Sequence, residues 1–154
     1  MPLKQKTIIQ LWGVQNEGKT STIQLVREEL IKAFINPAHT YIFPLKKEEI
    51  TVTLVCNGYK IGIESVGDDL NYYHLNNRLD DFIVTQAVDI LFCTSRVRNN
   101  VSQHIQTLAF ANGYRILKVT NYRSDDPAFN QDDLNLFSAK DLVSVVEKII
   151  NGII

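Results

Sequence analysis

Apolar residues along this chain recur with two different spacings, and the two kinds of segment alternate. Short, nearly continuous apolar runs predict buried strands. They cover residues 7–12, 51–56, 59–63, 89–94 and 114–120. Longer segments repeat an apolar residue every three or four positions, as one face of a helix does. The alternation of the two predicts an α/β domain, and 154 residues fit a single domain over 1–154.

Three segments with the helical spacing have clear ends. The first has apolar positions over 23–34 and is expected to end before Pro37, because the residue preceding a proline disfavours helical backbone angles. The second helix is predicted over 70–86. The third has apolar positions over 101–109 and ends at Asn112-Gly113, which is a helix stop signal.

The connections and the last helix are predicted from turn and capping residues. Residues 36–50 contain two prolines and a charged run, so we expect a long loop there. Residues 134–137 predict a short edge strand. The last helix is expected to begin at Ser138 as its N-cap, with Phe137 and Leu142 forming a hydrophobic staple.

Asn57-Gly58 separates two strand-like runs and is the preferred two-residue hairpin turn. A two-residue turn can join only antiparallel strands, while strands that alternate with helices are usually parallel. The predicted fold is therefore a three-layer α/β structure. Its sheet is mostly parallel with one antiparallel hairpin strand, and helices cover both faces.

A glycine-rich loop follows the first strand and opens the first helix. It matches the pattern G-x-x-x-x-G-K-[ST] of a phosphate-binding loop, or P-loop. The glycines let backbone N–H groups approach an anion, and the following helix directs its N-terminal amides and its dipole at the same anion. The lysine contacts phosphates, and the threonine hydroxyl can bind Mg²⁺. The predicted nucleotide-binding residues are Gly13, Val14, Gln15, Asn16, Glu17, Gly18, Lys19, Thr20, Ser21 and Gly67.

A P-loop needs a carboxylate to hold the Mg²⁺ shell, usually from the end of a neighbouring strand. Glu64 ends a predicted strand, and Gly67 and Asp68 follow it. Glu64 and Thr20 are the predicted metal residues, with Asp68 as the alternative carboxylate beside the terminal phosphate. The competing interpretation is that Glu64 and Asp68 only open the next helix, where acidic residues complement the helix dipole.

These features resemble the P-loop NTPase superfamily, and the element order is similar to its small GTPase-like branch. That resemblance implies that Glu64-Ser65-Val66-Gly67 replaces an Asp-x-x-Gly motif, that Thr40 contacts Mg²⁺ from the loop before the hairpin, and that Asp68 lies near the attacking water. The chain departs from the guanine-reading Asn-Lys-x-Asp motif, with Asn121-Tyr122-Arg123-Ser124-Asp125 in its place. Ser138-Ala139-Lys140 matches another guanine-side tripeptide, but a helix cap explains it better.

Two arginines follow the strand over 89–94. Strand ends on this side of an open α/β sheet line the ligand crevice, so Arg96 and Arg98 are candidates for neutralising a transferring phosphate. A solvated loop before a helix explains them equally well. With Lys19 and Asp68 they complete the predicted catalytic residues.

The composition bears on which classes of partner and which cellular compartment to expect. The net charge is −1, so charge alone indicates neither nucleic acid nor a membrane surface. No apolar stretch is long enough to cross a membrane, no signal peptide is visible, and both cysteines lie in apolar runs. We expect a cytoplasmic protein with two free buried thiols.

The leading expectation is Mg²⁺-dependent binding of ATP or GTP with slow hydrolysis, including use as a switch. A kinase that moves the γ-phosphoryl group to a nucleotide or small acceptor is the second interpretation. A regulatory module that binds the nucleotide without hydrolysing it is the third.

Overall fold

The computed structural model describes residues 5–13, 18–34, 37–42 and 49–154. Within them a six-stranded sheet runs in the order β2-β3-β4-β5-β1-β6. The strands are β1 (Thr7–Trp12), β2 (Ala38–Ile42), β3 (Thr51–Cys56), β4 (Tyr59–Glu64), β5 (Ile90–Ser95) and β6 (Arg115–Val119). β3 is antiparallel to both of its neighbours, and the pairs β4–β5, β5–β1 and β1–β6 are parallel. The predicted hairpin and the mostly parallel sheet are confirmed.

Helices cover both faces of the sheet, as predicted. They are α1 (Lys19–Ala33), α2 (Leu75–Asp80), α3 (Asn100–Asn112) and α4 (Gln131–Ile150). Side chains of α1 and α4 form one core with Ile9 and Leu11 of β1. Side chains of α2 and α3 form a second core with Ile8 of the same strand, because successive strand residues point to opposite faces. The domain therefore has three layers, and β1 is buried between the two helical layers.

The predicted loop over 36–50 is wrong in part, because β2 occupies residues 38–42 and extends the sheet beyond β3. This segment is short, and its pairing shifts register between His39 and Tyr41. Its sequence has no clean alternation of apolar and polar residues, so the neighbouring strand β3, rather than a local pattern, sets its conformation. Residues 43–48 lie outside the described part of the chain.

The predicted start of the last helix is wrong by two turns. α4 begins at Gln131, and the Asn130 side chain accepts hydrogen bonds from the backbone N–H groups of Asp132 and Asp133 at 2.8 and 3.4 Å. An asparagine cap followed by acidic residues satisfies this helix end and complements its dipole. Residues 134–137 are therefore helical rather than an edge strand.

Ser138 is consequently an interior residue of α4 rather than its cap. Its hydroxyl is buried and accepts a hydrogen bond from the backbone N–H of Tyr122 at 2.9 Å. Phe137 is 55% exposed, so the predicted staple with Leu142 is also wrong.

The predicted second helix is helical over most of its length but irregular. A 3₁₀ turn over 72–74 precedes α2, and a π-helical turn over 81–85 follows it. His74, at the junction of the 3₁₀ turn and α2, has a φ of 56°. Single π turns inside helices are rare and occur frequently at functional sites.

Both cysteines are free and buried, as predicted. Burial raises the pKa of Cys56 to about 11, and burial together with the Glu64 charge raises the pKa of Cys93. Because a raised pKa removes the reactive thiolate at neutral pH, we expect neither thiol to react with a disulfide reagent at pH 8 until the chain unfolds. Spectroscopic titration of thiols with and without denaturant measures this. Fast reaction of one equivalent in native buffer would contradict it.

Candidate functional site

The carboxyl ends of three strands meet at one edge of the sheet. The Gly13 N–H, directly after β1, donates to the Ser95 carbonyl at 3.2 Å, and the Thr94 hydroxyl donates to the Ser65 carbonyl at 2.9 Å. β5 therefore lies between β1 and β4. β4, which ends in Glu64, is therefore not a direct neighbour of β1. The edge still brings the P-loop ends and residues 64–68 to the same side of the sheet.

The structure describes the two ends of the P-loop motif, Gly13 and the residues from Gly18 onward. Gly18 has a φ of 79°, a left-handed conformation that favours glycine, and it is the N-cap of α1. The Lys19 Nζ donates to the Gly13 carbonyl at 2.8 Å, so the side chain spans the loop from its end to its start. Thr20 and Ser21 lie in the first turn of α1. Val14, Gln15, Asn16 and Glu17 lie outside the described residues.

Glu64 is fully buried at the end of β4, where four groups donate to its carboxylate. Arg78 of α2 donates through Nε at 2.8 Å and through a terminal nitrogen at 3.3 Å. The Thr51 hydroxyl is 3.0 Å from both oxygens, and the Val66 N–H donates at 3.1 Å. Burial raises the pKa of Glu64, while its hydrogen bonds with the Arg78 guanidinium oppose that shift. The arrangement is a closed interior ion pair that fixes α2 against β4.

The segment after Glu64 lies against the end of β5. A Cβ on Gly67 would collide with the carbonyl oxygen of Thr94, so only glycine fits there. The Asn99 side-chain amide donates to the carbonyls of Gly67 and Asp68 at 3.1 and 3.2 Å. The Asp68 carboxylate accepts from Arg96 Nε at 3.2 Å, and the Asp68 side chain is 59% exposed. Asp68 and Arg96 are thus an exposed ion pair at the rim of this edge.

Arg98 and Thr40, two other predicted site residues, do not share the ion pair that Arg96 makes at the rim. Arg98 is exposed in the same loop, and it has no ion pair with any residue that the structure describes. Thr40 lies in β2, not in a loop as the family resemblance implied.

Three residues at or beside the site were not predicted: Arg78, Thr22 and Asn135. Arg78 lies in a segment whose sequence pattern indicates only an apolar helix face. Thr22 follows the motif by two residues, and its hydroxyl donates to Asn121 Oδ1 at 2.6 Å. Asn135 was hidden by the wrong strand assignment, although the Asn130-Gln131-Asp132-Asp133 run is a recognisable helix start.

An open groove of about 380 Å³ runs between α1 and the first turns of α4. Its lining is acidic and amide-rich, with Ser21, Gln24, Leu25 and Glu28 from α1 and Asp132, Asp133, Asn135 and Leu136 from α4.

In the described ranges, no group of three or more histidine, cysteine or acidic side chains is arranged to hold a metal ion. None of the helices that the structure describes is both long and apolar enough to span a membrane. Comparison with protein-family models, with curated proteins and with solved structures finds no match to this chain.

Proposed function

We propose that this chain binds a nucleoside triphosphate with Mg²⁺ at residues 13–20 and hydrolyses it slowly. The observation that carries this proposal is the position of the motif, between the end of the buried strand β1 and the N-terminus of α1, with Gly18 left-handed and Lys19 spanning the loop. Amides of the first helical turn and the helix dipole favour phosphate there. Gly13, Ser21 and Gly67 complete the proposed nucleotide contacts.

The residues at this edge suit magnesium, because they offer hard oxygen donors. The Thr20 hydroxyl lies in the first turn of α1, and the Asp68 carboxylate is exposed at the rim. Bound Mg²⁺ would offset the charge of the β- and γ-phosphates. Glu64 can bind Mg²⁺ only if its carboxylate gives up some of the hydrogen bonds that it accepts from its four donors. Asp68 is therefore the stronger candidate for direct contact.

The experiment that tests the proposal is binding against a panel of ATP, GTP, ADP and GDP with Mg²⁺ present. The chain has a single tryptophan, Trp12, directly before Gly13, so its fluorescence provides a local signal, and calorimetry provides the dissociation constant. No binding of any nucleotide at millimolar concentration would overturn the proposal. Binding without turnover would favour the regulatory module.

Phosphate release separates hydrolysis from phosphoryl transfer. A hydrolase should release phosphate at a rate independent of any added acceptor. Transfer of labelled γ-phosphate to a nucleoside monophosphate, well above the rate of hydrolysis, would favour the kinase. We expect the hydrolase result, because β2 and the β3–β4 hairpin take up much of the chain between α1 and residue 65, which an acceptor-binding insert would need.

Arg96 is the arginine that we expect to act on the transferring phosphate. Its Asp68 partner and its place directly after β5 orient it at the rim, and a positioned guanidinium helps most where charge develops in the transition state. Arg96→Ala should lower turnover on the order of 100-fold and leave triphosphate affinity nearly unchanged. Single-turnover kinetics and calorimetry measure the two quantities. Lys32→Ala, on the exposed far end of α1, is the control for loss of one positive charge.

Arg98→Ala completes this series. If it lowers turnover and Arg96→Ala does not, the catalytic arginine is Arg98. If neither variant differs from the Lys32→Ala control in turnover, both arginines are only solvent-exposed loop residues.

A further inference from the structure

Asn135 of α4 lies directly against the α-carbon of Gly18. It is only 3% exposed, although asparagine is a polar residue. A Cβ built on Gly18 would be 2.6 Å from Asn135 Oδ1, and 3.0 Å from both Asn135 Nδ2 and Asn121 Nδ2. The last loop residue before Lys19 is therefore in contact with a side chain from the opposite end of the sequence.

Hydrogen bonds fix the position of the Asn135 amide. Its Oδ1 accepts from Asn121 Nδ2 at 2.7 Å and from Gln131 Nε2 at 2.8 Å. Asn121 Oδ1 in turn accepts from the Thr22 hydroxyl in α1 at 2.6 Å. These contacts form a chain of side chains from α4, through the segment after β6, to the first turn of α1.

We propose that Asn135 is a positioning residue for phosphate binding, a role that rests on the proposed function. Glycine is the residue with the most backbone freedom, so fixing a glycine in one conformation costs the most entropy. The Asn135 amide against Gly18 holds that residue in its left-handed conformation before any ligand arrives. Such preorganisation raises affinity, because part of the ordering cost no longer falls on binding.

The position of Asn135 on α4 also allows a purely structural role, and a matched variant separates the two. Asn130→Ala removes the same residue type from the same helix. It deletes the N-cap bonds to Asp132 and Asp133, but Asn130 is exposed and is not among the nearest neighbours of Gly18. Loss of a buried amide and loss of a cap each lower stability, so both variants should melt at a lower temperature than the parent.

The test measures binding of Mg²⁺-ATP, Mg²⁺-GTP and Mg²⁺-pyrophosphate by calorimetry, at a temperature where all variants are folded. We expect Asn135→Ala to weaken binding of pyrophosphate and of whichever triphosphate the parent binds by about tenfold. Asn130→Ala should bind like the parent. Because pyrophosphate has no base or ribose, its loss places the effect at the phosphate loop. Asn135→Ser, whose shorter side chain cannot cover Gly18, provides the same comparison if Asn135→Ala does not fold.

Two outcomes would overturn the inference in distinguishable ways. If the Asn135 variants bind as tightly as Asn130→Ala, Asn135 serves only the packing of α4, and the proposed function stands. If the parent binds neither nucleotide nor pyrophosphate, the proposed function fails and this inference fails with it. A double-mutant cycle adds a readout independent of ligands: Gly18→Ala should destabilise the parent more than it destabilises Asn135→Ala. The new methyl group meets the Asn135 amide only in the parent, while its contact with Asn121 Nδ2 is common to both backgrounds.

Discussion

Replacement of Lys19 by alanine is expected to weaken triphosphate binding by at least about tenfold and to leave the fold intact. The Lys19 Nζ is 2.8 Å from the Gly13 carbonyl, so its charge lies across the P-loop, where phosphates would bind. A charge-assisted hydrogen bond contributes about 1.5–3 kcal/mol, and about 1.4 kcal/mol corresponds to a tenfold change in the dissociation constant. Calorimetry with Mg²⁺ present measures the loss.

Lys32→Ala is the matched control for Lys19. Both lysines belong to α1, but Lys32 is exposed, about 20 Å further along the helix axis, where it pairs with Glu29. That variant should bind nucleotide like the parent. An unchanged dissociation constant in Lys19→Ala would remove the assignment of residues 13–20 as a phosphate site.

Local signals in the sequence predicted much of this fold. The run over 7–12 is β1, the Asn57-Gly58 turn joins β3 to β4, and Gly113 ends α3 in a left-handed conformation. Each of these features depends on residues within one or two turns of the chain, so a single sequence contains the information. The P-loop motif is local in the same sense, although its binding function stays a prediction.

Features that depend on distant residues were missed. β2 exists because β3 offers it a partner, and its own sequence does not alternate clearly. The place of β5 between β1 and β4 follows from how the two cores fill both faces of the sheet, which no short pattern reports. The start of α4 was misplaced for another reason: a plausible cap at Ser138 competed with a better one at Asn130.

The candidate site also has features that the sequence predicts and features that depend on distant residues. Residue types and spacing indicated Lys19, Glu64 and Asp68, but they could not show which of the two carboxylates is accessible. That distinction depends on Arg78, which is 14 residues from Glu64 in the sequence and belongs to a different element. Partners separated in this way are visible only once α2 is packed against β4.

Glu64→Gln is expected to lower the free energy of unfolding by about 3–5 kcal/mol, because it removes the carboxylate charge that faces the buried Arg78 guanidinium. Many domains are stable by only about 5–15 kcal/mol, so this single change removes a large part of the total. Chemical denaturation followed by circular dichroism measures it. Asp68→Asn is the control, since an exposed ion pair contributes about 0–1 kcal/mol. If Glu64→Gln and Asp68→Asn both lower the free energy of unfolding by the same small amount, the Glu64–Arg78 pair is not a buried ion pair that stabilises the fold.

The double variant Glu64→Gln/Arg78→Met removes both buried charges and should recover much of the lost stability. It therefore provides a folded protein in which the metal role of Glu64 can be tested apart from its structural role. We expect this double variant to keep its magnesium dependence and Asp68→Asn to lose it, because the Asp68 carboxylate is exposed at the rim while Glu64 already has four donors. Nucleotide binding by calorimetry, with Mg²⁺ and with a chelator, measures that dependence. If the double variant loses it and Asp68→Asn keeps it, the metal carboxylate is Glu64, and Arg78 must release it when the metal binds.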